Sequence, residues 1–548
     1  MALLIGIDVG GTHADGVLLE GKEILAKHKI QVDQENLSDS IFTLLQQLVP
    51  DNPDQVERIQ LSTTLCTNAI INNQLDDVGM FIQAGPGLNP SFLQCGDYVC
   101  LLDGAIDHRG KIIRSPDNDM VLEASSQFRD VGIESIGVVT KFSHRNNIHE
   151  QTLADQLEQQ FAHVSTGHRI SGLPNFPRRV YSTWLNAALK RKFVEFKTAM
   201  EAGLEHLNLR CPCHILKADG GTIPFSGASD FPCESVHSGP SASVMGCLAL
   251  MENLEDAVLL DIGGTTTDIA LLADGIPLLE PYGVTIQGRP TLIRALNTRS
   301  VGLGGDSATS YADGKYTIGP LKKGAPMAFG GAVPTPTDAM VMLGSIEEGD
   351  TAQATKAMQA LRPEQNPEQT ATELLQSFAD QIHTAVEQMI DEVFSRPVYT
   401  VAALLSRKRL QPAQLITVGG PAKAMQDMLA GCFGLPCTVP EHFEVANAIG
   451  SARTRPTLQA TLYADTADRK LVIPEIGLQD KVRKYFSMED AEERLRQVIM
   501  TQAAEYGLEE IADIDFVERQ EMNTVRGFHT SGKIISLKAQ IRPGLAQL

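Results

Sequence analysis

Leu260-Asp261-Ile262-Gly263-Gly264-Thr265-Thr266-Thr267-Asp268-Ile269-Ala270 and, near the start of the chain, Ile7-Asp8-Val9-Gly10-Gly11-Thr12-His13-Ala14-Asp15-Gly16-Val17 share the pattern Asp-x-Gly-Gly-Thr-x-x-Asp. Apolar runs precede each copy (Leu3 to Ile7; Ala257 to Leu260) and follow it (Val17 to Leu19; Ile269 to Leu272). That arrangement predicts strand, glycine-containing turn, strand, so the chain carries two related hairpins.

Such a turn suits phosphate. Gly10, Gly11, Gly263 and Gly264 carry no side chain, so backbone N–H groups can approach an anion, and Thr12, Thr265 and Thr266 add hydroxyl donors. The leading acids, Asp8 and Asp261, can hold Mg2+ through its waters, since a hard cation takes oxygen ligands. A single Gly-Gly turn reads equally well as structure; two copies with both acids and the Thr favour the phosphate reading. Asp15 and Asp268 either polarise a nucleophile or brace their turns by accepting backbone N–H groups.

These segments resemble the two phosphate motifs of the actin-like ATPase superfamily, in which each domain contributes one hairpin and the nucleotide lies between them. Ile416-Thr417-Val418-Gly419-Gly420-Pro421-Ala422 resembles its adenosine motif, with Gly419 and Gly420 leaving room for the base and sugar. A helix precedes it, in which Leu374, Phe378, Ile382, Val386, Met389 and Val393 recur on one face and are expected in the core. Ser238-Gly239-Pro240-Ser241-Ala242-Ser243 and Asn447-Ala448-Ile449-Gly450-Ser451-Ala452 resemble the two connecting helices, whose small residues permit close approach. Gly304-Gly305-Asp306 resembles a loop near the nucleotide in heat-shock-type ATPases. The resemblance implies an α/β fold of two actin-like (ribonuclease H-like) domains with an interdomain cleft for ATP and Mg2+.

Within that superfamily, residues 1 to 455 resemble the hydantoinase/oxoprolinase family, specifically its A-type ATPase component. The resemblance rests on Leu61-Ser62-Thr63-Thr64-Leu65-Cys66-Thr67-Asn68-Ala69 and on Phe142-Ser143-His144-Arg145-Asn146-Asn147-Ile148-His149-Glu150. Ser182 to Ala188 at the opening of a long helix, Lys217-Ala218-Asp219-Gly220-Gly221 and Pro334-Thr335-Pro336-Thr337-Asp338-Ala339 add to it. It implies ATP-dependent opening of a cyclic amide such as 5-oxoproline or a hydantoin. An unstrained amide carbonyl is a poor electrophile, and phosphorylation of its oxygen exposes the carbon to water. Catalysis then rests on positioning and electrostatics.

On this resemblance Asp8 and Asp261 organise the metal and water, Thr12 and Thr265 hold phosphate oxygens, and Asp15 or Asp268 assists the nucleophile. Thr63, Thr64, Thr67 and Asn68 either face phosphates or substrate, or cap helices. Where the family has Asp-x-His-Thr this chain has Asn297-Thr298-Arg299-Ser300, so a metal site of that type is in doubt. Arg299 suits either an anionic substrate or a surface ion pair. His149 and Glu150 are adjacent and expected to point apart. His13 reads as a turn residue or a substrate contact.

Composition bounds the remainder. Hydrophobic residues at 43% and charged residues at 21% describe a globular protein, and 548 residues require at least two domains. Lys plus Arg at 46 against Asp plus Glu at 67 gives a formal charge of -21, which repels nucleic acid and anionic membranes. The opening Met-Ala-Leu-Leu-Ile-Gly-Ile-Asp lacks a leader pattern and no apolar run is long enough to span a bilayer, so the expected location is cytoplasmic. Nine scattered cysteines are expected as free thiols.

The expected division is residues 1–250 with an α/β insertion over about 78–175, then 251–450, then a tail over 451–548 packing on the first domain. Lys470 to Ile473 and Lys533 to Ile541 read as strands of the tail, and Met488 to Tyr506 as a helix. The tail is too short to be the large B-type component. Either a separate B-type subunit completes hydrolysis or the chain acts alone on another substrate, and an oligomer is compatible with either. Two other functions share the phosphate machinery: a small-metabolite kinase, and an ATP-driven reactivating or assembly factor acting on a protein partner.

Overall fold

The computed structural model describes residues 3–11, 13–33, 36–252, 254–395, 409–507 and 514–546. Thr12 of the first hairpin therefore lies outside the described residues. The chain divides into two compact units: Met1–Gly239, Glu280–Ala295 and Thr454–Leu548 in the first, and Pro240–Leu279 and Leu296–Arg453 in the second. Residues 280–295, which the sequence reading placed in 251–450, thus belong to the first unit.

The first unit is built on a six-stranded sheet in the order Thr222–Pro224, Cys213–Leu216, Val56–Thr63, Leu3–Val9, His13–Glu20 and Glu23–Gln31. The strand Leu3–Val9 pairs antiparallel with His13–Glu20 and parallel with Val56–Thr63. It is buried along its whole length, as an apolar run covered on both faces must be. Ile41, Leu44 and Leu45 of the helix Leu37–Leu48, and Leu189 and Phe193 of the helix Phe176–His206, close this core. The long helix starts earlier than Ser182, at Phe176, because the Asn175 side chain accepts from the Arg178 N–H and Pro177 occupies the first turn.

Within residues 78–175 lies a separate four-stranded parallel sheet, ordered His163–Thr166, Ser135–Thr140, Val78–Gln83 and Tyr98–Leu101. The C-terminal segment forms a five-stranded antiparallel sheet, ordered Leu478–Lys481, Lys470–Ile473, Gln459–Asp465, His529–Ile541 and Ile514–Arg526. Helix Met488–Glu505 covers it with Ala491, Leu495, Ile499 and Ala503. A Ser487 capping box starts that helix. The segment is tied to the rest of the first unit by Arg109, whose Nε donates to Asp465 at 3.0 Å, and by Gln60, whose Nε2 donates to the Thr454 carbonyl at 2.8 Å.

The second unit repeats the hairpin-plus-parallel-strand plan. Its sheet runs Ile276–Pro277, Thr267–Ala273, Ala257–Ile262, Gln414–Val418 and Cys437–Thr438, and Thr298–Val301 also pairs with Thr267–Ala273. Helix Pro367–Ser395 buries Leu374, Phe378, Ile382, Val386 and Met389 against it, and Val393 is partly buried there, as its spacing predicts. The small residues of the helices Ser238–Leu250 and Ala446–Arg453 also do what was expected of them. A Cβ on Gly246 would lie 2.2 Å from the Ala446 carbonyl oxygen, and one on Gly450 would lie 2.3 Å from the Gly246 nitrogen. The result is the α/β architecture that the two hairpins imply, and all nine cysteines are free thiols.

Candidate functional site

The two repeated motifs fold to the same local geometry. Asp8 stands opposite Asp15 across the first hairpin, and Asp261 opposite Asp268 across the second. The Gly10 N–H donates to the His13 carbonyl at 3.0 Å, and the Gly263 N–H donates to the Thr266 carbonyl at 2.9 Å. Side chains alternate across a strand, so each facing pair of acids shares one side of its hairpin. Asp8 is buried, while Asp15, Asp261 and Asp268 are half-buried. His13 is exposed at the first turn.

Their electrostatics differ. Asp15 forms an ion pair with Lys29 on the neighbouring strand at 3.0 Å, which fits the bracing role. The Asp268 carboxyl is pushed up to about 7 by burial first and then by the Asp261 charge, with Ser300 opposing the rise. Burial also raises Asp261, against hydrogen bonds from Ser243 and Asn447. A void of about 10 Å³ touches both Asp261 and Asp268, room for about one water. Asp268 Oδ1 is buried there without a hydrogen-bond partner.

The second turn is cradled by the glycine loop that the sequence had singled out. The Gly305 N–H donates to the Gly263 carbonyl at 3.0 Å and the Asp306 N–H to the Gly264 carbonyl at 2.7 Å. A Cβ on Gly304 would lie 2.5 Å from Gly264 and Thr265 backbone atoms, so only glycine permits the approach. Asp306 is held by Thr337 Oγ1 at 3.0 Å and Lys322 Nζ at 2.8 Å. Gly419, at φ +92°, presses on Asp261: its Cβ would sit 2.3 Å from the Ile262 carbonyl oxygen and 2.7 Å from Asp261 Oδ1. Gly420 faces open space.

The structure therefore gathers Asp261, Gly263, Gly264, Thr265, Thr266, Asp268, Gly304, Gly305, Asp306, Gly419 and Gly420 around one turn. Sequence reasoning missed Lys322, Thr337, Ser243 and Asn447. Thr337, Ser243 and Asn447 stand inside quoted motifs, but only folding shows which acids they hold; Lys322 carries no signal beyond its charge.

In the first unit the Thr64 N–H donates to the Val9 carbonyl at 3.3 Å, which sets the start of helix Leu65–Ile71 beside the first turn. Thr63 Oγ1 accepts from the Leu65 N–H at 3.2 Å, Thr67 Oγ1 from the His237 N–H at 3.1 Å, and Thr64 Oγ1 from Asn68 Nδ2 at 3.2 Å. These three hydroxyls are engaged as acceptors by the protein itself, although Thr64, the N-cap residue, makes no side-chain cap hydrogen bond to its helix.

Arg299 is directed elsewhere. It pairs with Glu392 of helix Pro367–Ser395, while its neighbour Ser300, on the opposite face of the strand, is the residue that meets Asp268. His149 and Glu150 do point apart: His149 Nδ1 lies 2.9 Å from Gln83 Oε1, and Glu150 binds His168 Nδ1 at 2.6 Å and the Thr140 N–H at 2.6 Å. Burial works against the Glu150 carboxylate, but His168 and Arg179 hold it below its ordinary range. No grouping of three metal-ligating side chains exists among the described residues. No helix among them is long and apolar enough to cross a membrane.

Comparison with known proteins matches residues 179–459 to the hydantoinase/oxoprolinase family and residues 4–161 to the hydantoinase/oxoprolinase N-terminal region. The alpha subunit of caprolactamase from Pseudomonas jessenii is 24% identical over 258 residues, covering 45% of this chain and 37% of that protein. The gamma subunit of acetophenone carboxylase from Aromatoleum aromaticum is 24% identical over 394 residues, covering 62% and 53%. The chain thus spans between about a third and about half of these curated relatives. Among solved structures, the ATP-dependent caprolactamase of Pseudomonas jessenii superposes with a TM-score of 0.74 at 18% identity, over 99% of this chain and 87% of that one. Nucleotide-free acetone carboxylase superposes with a TM-score of 0.71 at 15% identity, over 100% and 88%.

Proposed function

The chain belongs to the hydantoinase/oxoprolinase family, and on that premise we propose that it is the ATP-dependent component of an enzyme that opens a cyclic amide. The observation that carries this reading is the doubled hairpin, with Asp8 facing Asp15 and Asp261 facing Asp268 in one register. Family membership then directs the phosphate chemistry toward an amide.

The residues fit a nucleotide. An added Cβ on Gly420 would meet nothing within 4 Å, which leaves room for a ligand beside that turn. Bound Mg-ATP would supply a phosphoryl group to the amide oxygen, and water would then yield ring-opened acid, ADP and phosphate. In this proposal the turn backbone at Gly11 and Gly264 binds phosphate oxygens, aided by the Thr12, Thr265 and Thr266 hydroxyls, while the Gly10 and Gly263 N–H groups hold the turns through the His13 and Thr266 carbonyls. Asp8 and Asp261 orient the waters of Mg2+. Asp268, raised by burial and by Asp261, can accept a proton near neutral pH. Asp15 holds the first hairpin through Lys29. Lys322 and Asp306 fix the loop over the second turn.

A separate B-type subunit is part of the proposal, because the named relatives are themselves subunits of larger enzymes. Asp8→Asn and Asp261→Asn test the assignment: each is expected to lower Mg-dependent ATP turnover at least about 100-fold while circular dichroism stays unchanged. Normal turnover in both variants would overturn it.

A further inference from the structure

A groove of about 260 Å³ lies within the first unit and is lined by none of the phosphate-turn residues. Three short pieces of chain build its walls. The turn Pro90–Leu93 buries Leu93 and leaves Phe92 72% exposed. The helix Phe176–His206 contributes Pro177 and Arg178 from its first turn. The short strands Thr285–Ile286 and Arg289–Pro290 are joined by Gln287 at φ +48° and Gly288 at φ +75°, the left-handed pair that a two-residue hairpin turn requires. Ile286 is buried in the core of the first unit, so this small hairpin holds Arg289 and Pro290 at the groove.

Charge sets the groove apart. The protein has a formal charge of -21, yet no acidic residue lines this surface, and neither Arg178 nor Arg289 forms an ion pair among the described residues. Backbone oxygens orient both instead: Arg178 Nη1 donates to the Tyr282 carbonyl at 2.7 Å and Arg289 Nη1 to the Gln94 carbonyl at 3.4 Å. A carbonyl fixes a guanidinium without cancelling its charge, and the remaining N–H groups stay available to an acceptor. Water reaches both, since Arg178 is half-buried and Arg289 exposed. The positive end of the long helix adds to the same field.

Phe92, Pro177 and Pro290 supply apolar ring surface beside these cations. The combination matches a ligand with a flat apolar body and a carboxylate, whose paired oxygens suit guanidinium N–H groups. The volume is about nine times a water's share of the liquid, room for one aromatic ring and its carboxylate.

We propose that this groove binds a small aromatic carboxylate, its ring against Phe92, Pro177 and Pro290 and its oxygens accepting from Arg178 and Arg289. The site is separate from the phosphate turns and does not rest on the reaction proposed above.

The test uses the full chain without nucleotide, titrated with benzoate at constant ionic strength and followed by calorimetry and by saturation transfer from the protein to the ring protons. Saturable binding with a Kd on the order of 1 mM is expected. Benzamide keeps the ring without the charge, and acetate keeps the charge without the ring; each should bind at least about tenfold more weakly. Arg289→Gln and Phe92→Ala alter exposed side chains, so the fold should persist while benzoate binding weakens at least about fivefold in each. No saturable benzoate binding by the wild type up to about 20 mM would overturn the proposal. So would benzamide or acetate binding as tightly as benzoate, or undiminished benzoate binding in either variant.

Discussion

Replacing Gly419 by Ala separates the support of the second hairpin from its surface, because the neighbouring Gly420 serves as an internal control. At φ +92° an L side chain is strained, by about 1–2 kcal/mol. The new Cβ would also stand 2.3 Å from the Ile262 carbonyl oxygen and 2.7 Å from Asp261 Oδ1, and overpacking against fixed backbone adds about 1–3 kcal/mol. The sum, about 2–5 kcal/mol, corresponds to a fall in melting temperature of roughly 5–15 °C for a unit of this size. Because the clash falls on Asp261, Mg-dependent ATP turnover should fall with it. Gly420→Val meets open space, so its stability should stay within about 0.5 kcal/mol of the wild type. Its ATP affinity should weaken if the nucleotide lies on this turn. Scanning calorimetry and nucleotide titration read both quantities. A Gly419→Ala protein with wild-type melting and turnover would refute the geometry, and Gly420→Val with undiminished ATP affinity would refute the placement of the nucleotide.

Asp268 gives a pH signature in protein free of nucleotide and divalent cation. Its carboxyl rises from an ordinary 3.8 to about 7 on folding, so the folded form holds the proton more tightly. The stability this contributes is fully present below about pH 4 and lost as pH rises through about 7, up to about 4 kcal/mol in all. Asp268→Asn keeps the neutral form, so the variant should gain on the wild type across that window; parallel curves of melting temperature against pH would contradict this. Glu150→Leu leaves His168 and Arg179 without their carboxylate and should cost about 3–5 kcal/mol with no change in ATP affinity, as denaturant unfolding and nucleotide titration would show. Arg299→Gln removes a pair whose partner Glu392 is 63% exposed and should change stability by less than about 1 kcal/mol. Unchanged kinetics would match the ion-pair reading, and a large rise in KM would restore Arg299 to the substrate site.

Both hairpins were legible because the chain writes each one contiguously: strand, glycine turn and strand lie within a few residues, and the second copy supplies its own check. The long helix Pro367–Ser395 was equally legible through its apolar spacing. What remained hidden depends on contacts between distant segments. Lys322 reaches Asp306 only after a loop returns, and residues 280–295 join the first unit despite their place in the chain. Strand Ile514–Arg526 went unread because all of its residues are exposed or half-buried, which leaves no apolar alternation. Strand parity could have corrected one expectation. On Thr298–Val301, Ser300 opposes Asp268, which sends Arg299 to the other face.

The measurement that bears most directly on the central claim is product analysis by mass spectrometry with the purified protein, Mg-ATP and a panel of 5-oxoproline, hydantoin and caprolactam, alone and with a B-type subunit. Acetophenone, the compound named by the carboxylase relative, enters as the competing acceptor. The account predicts a ring-opened acid formed in step with ADP and abolished by Asp8→Asn. ATP turnover that acetophenone stimulates and no cyclic amide does, or a stable phosphorylated metabolite in place of an opened ring, would contradict it.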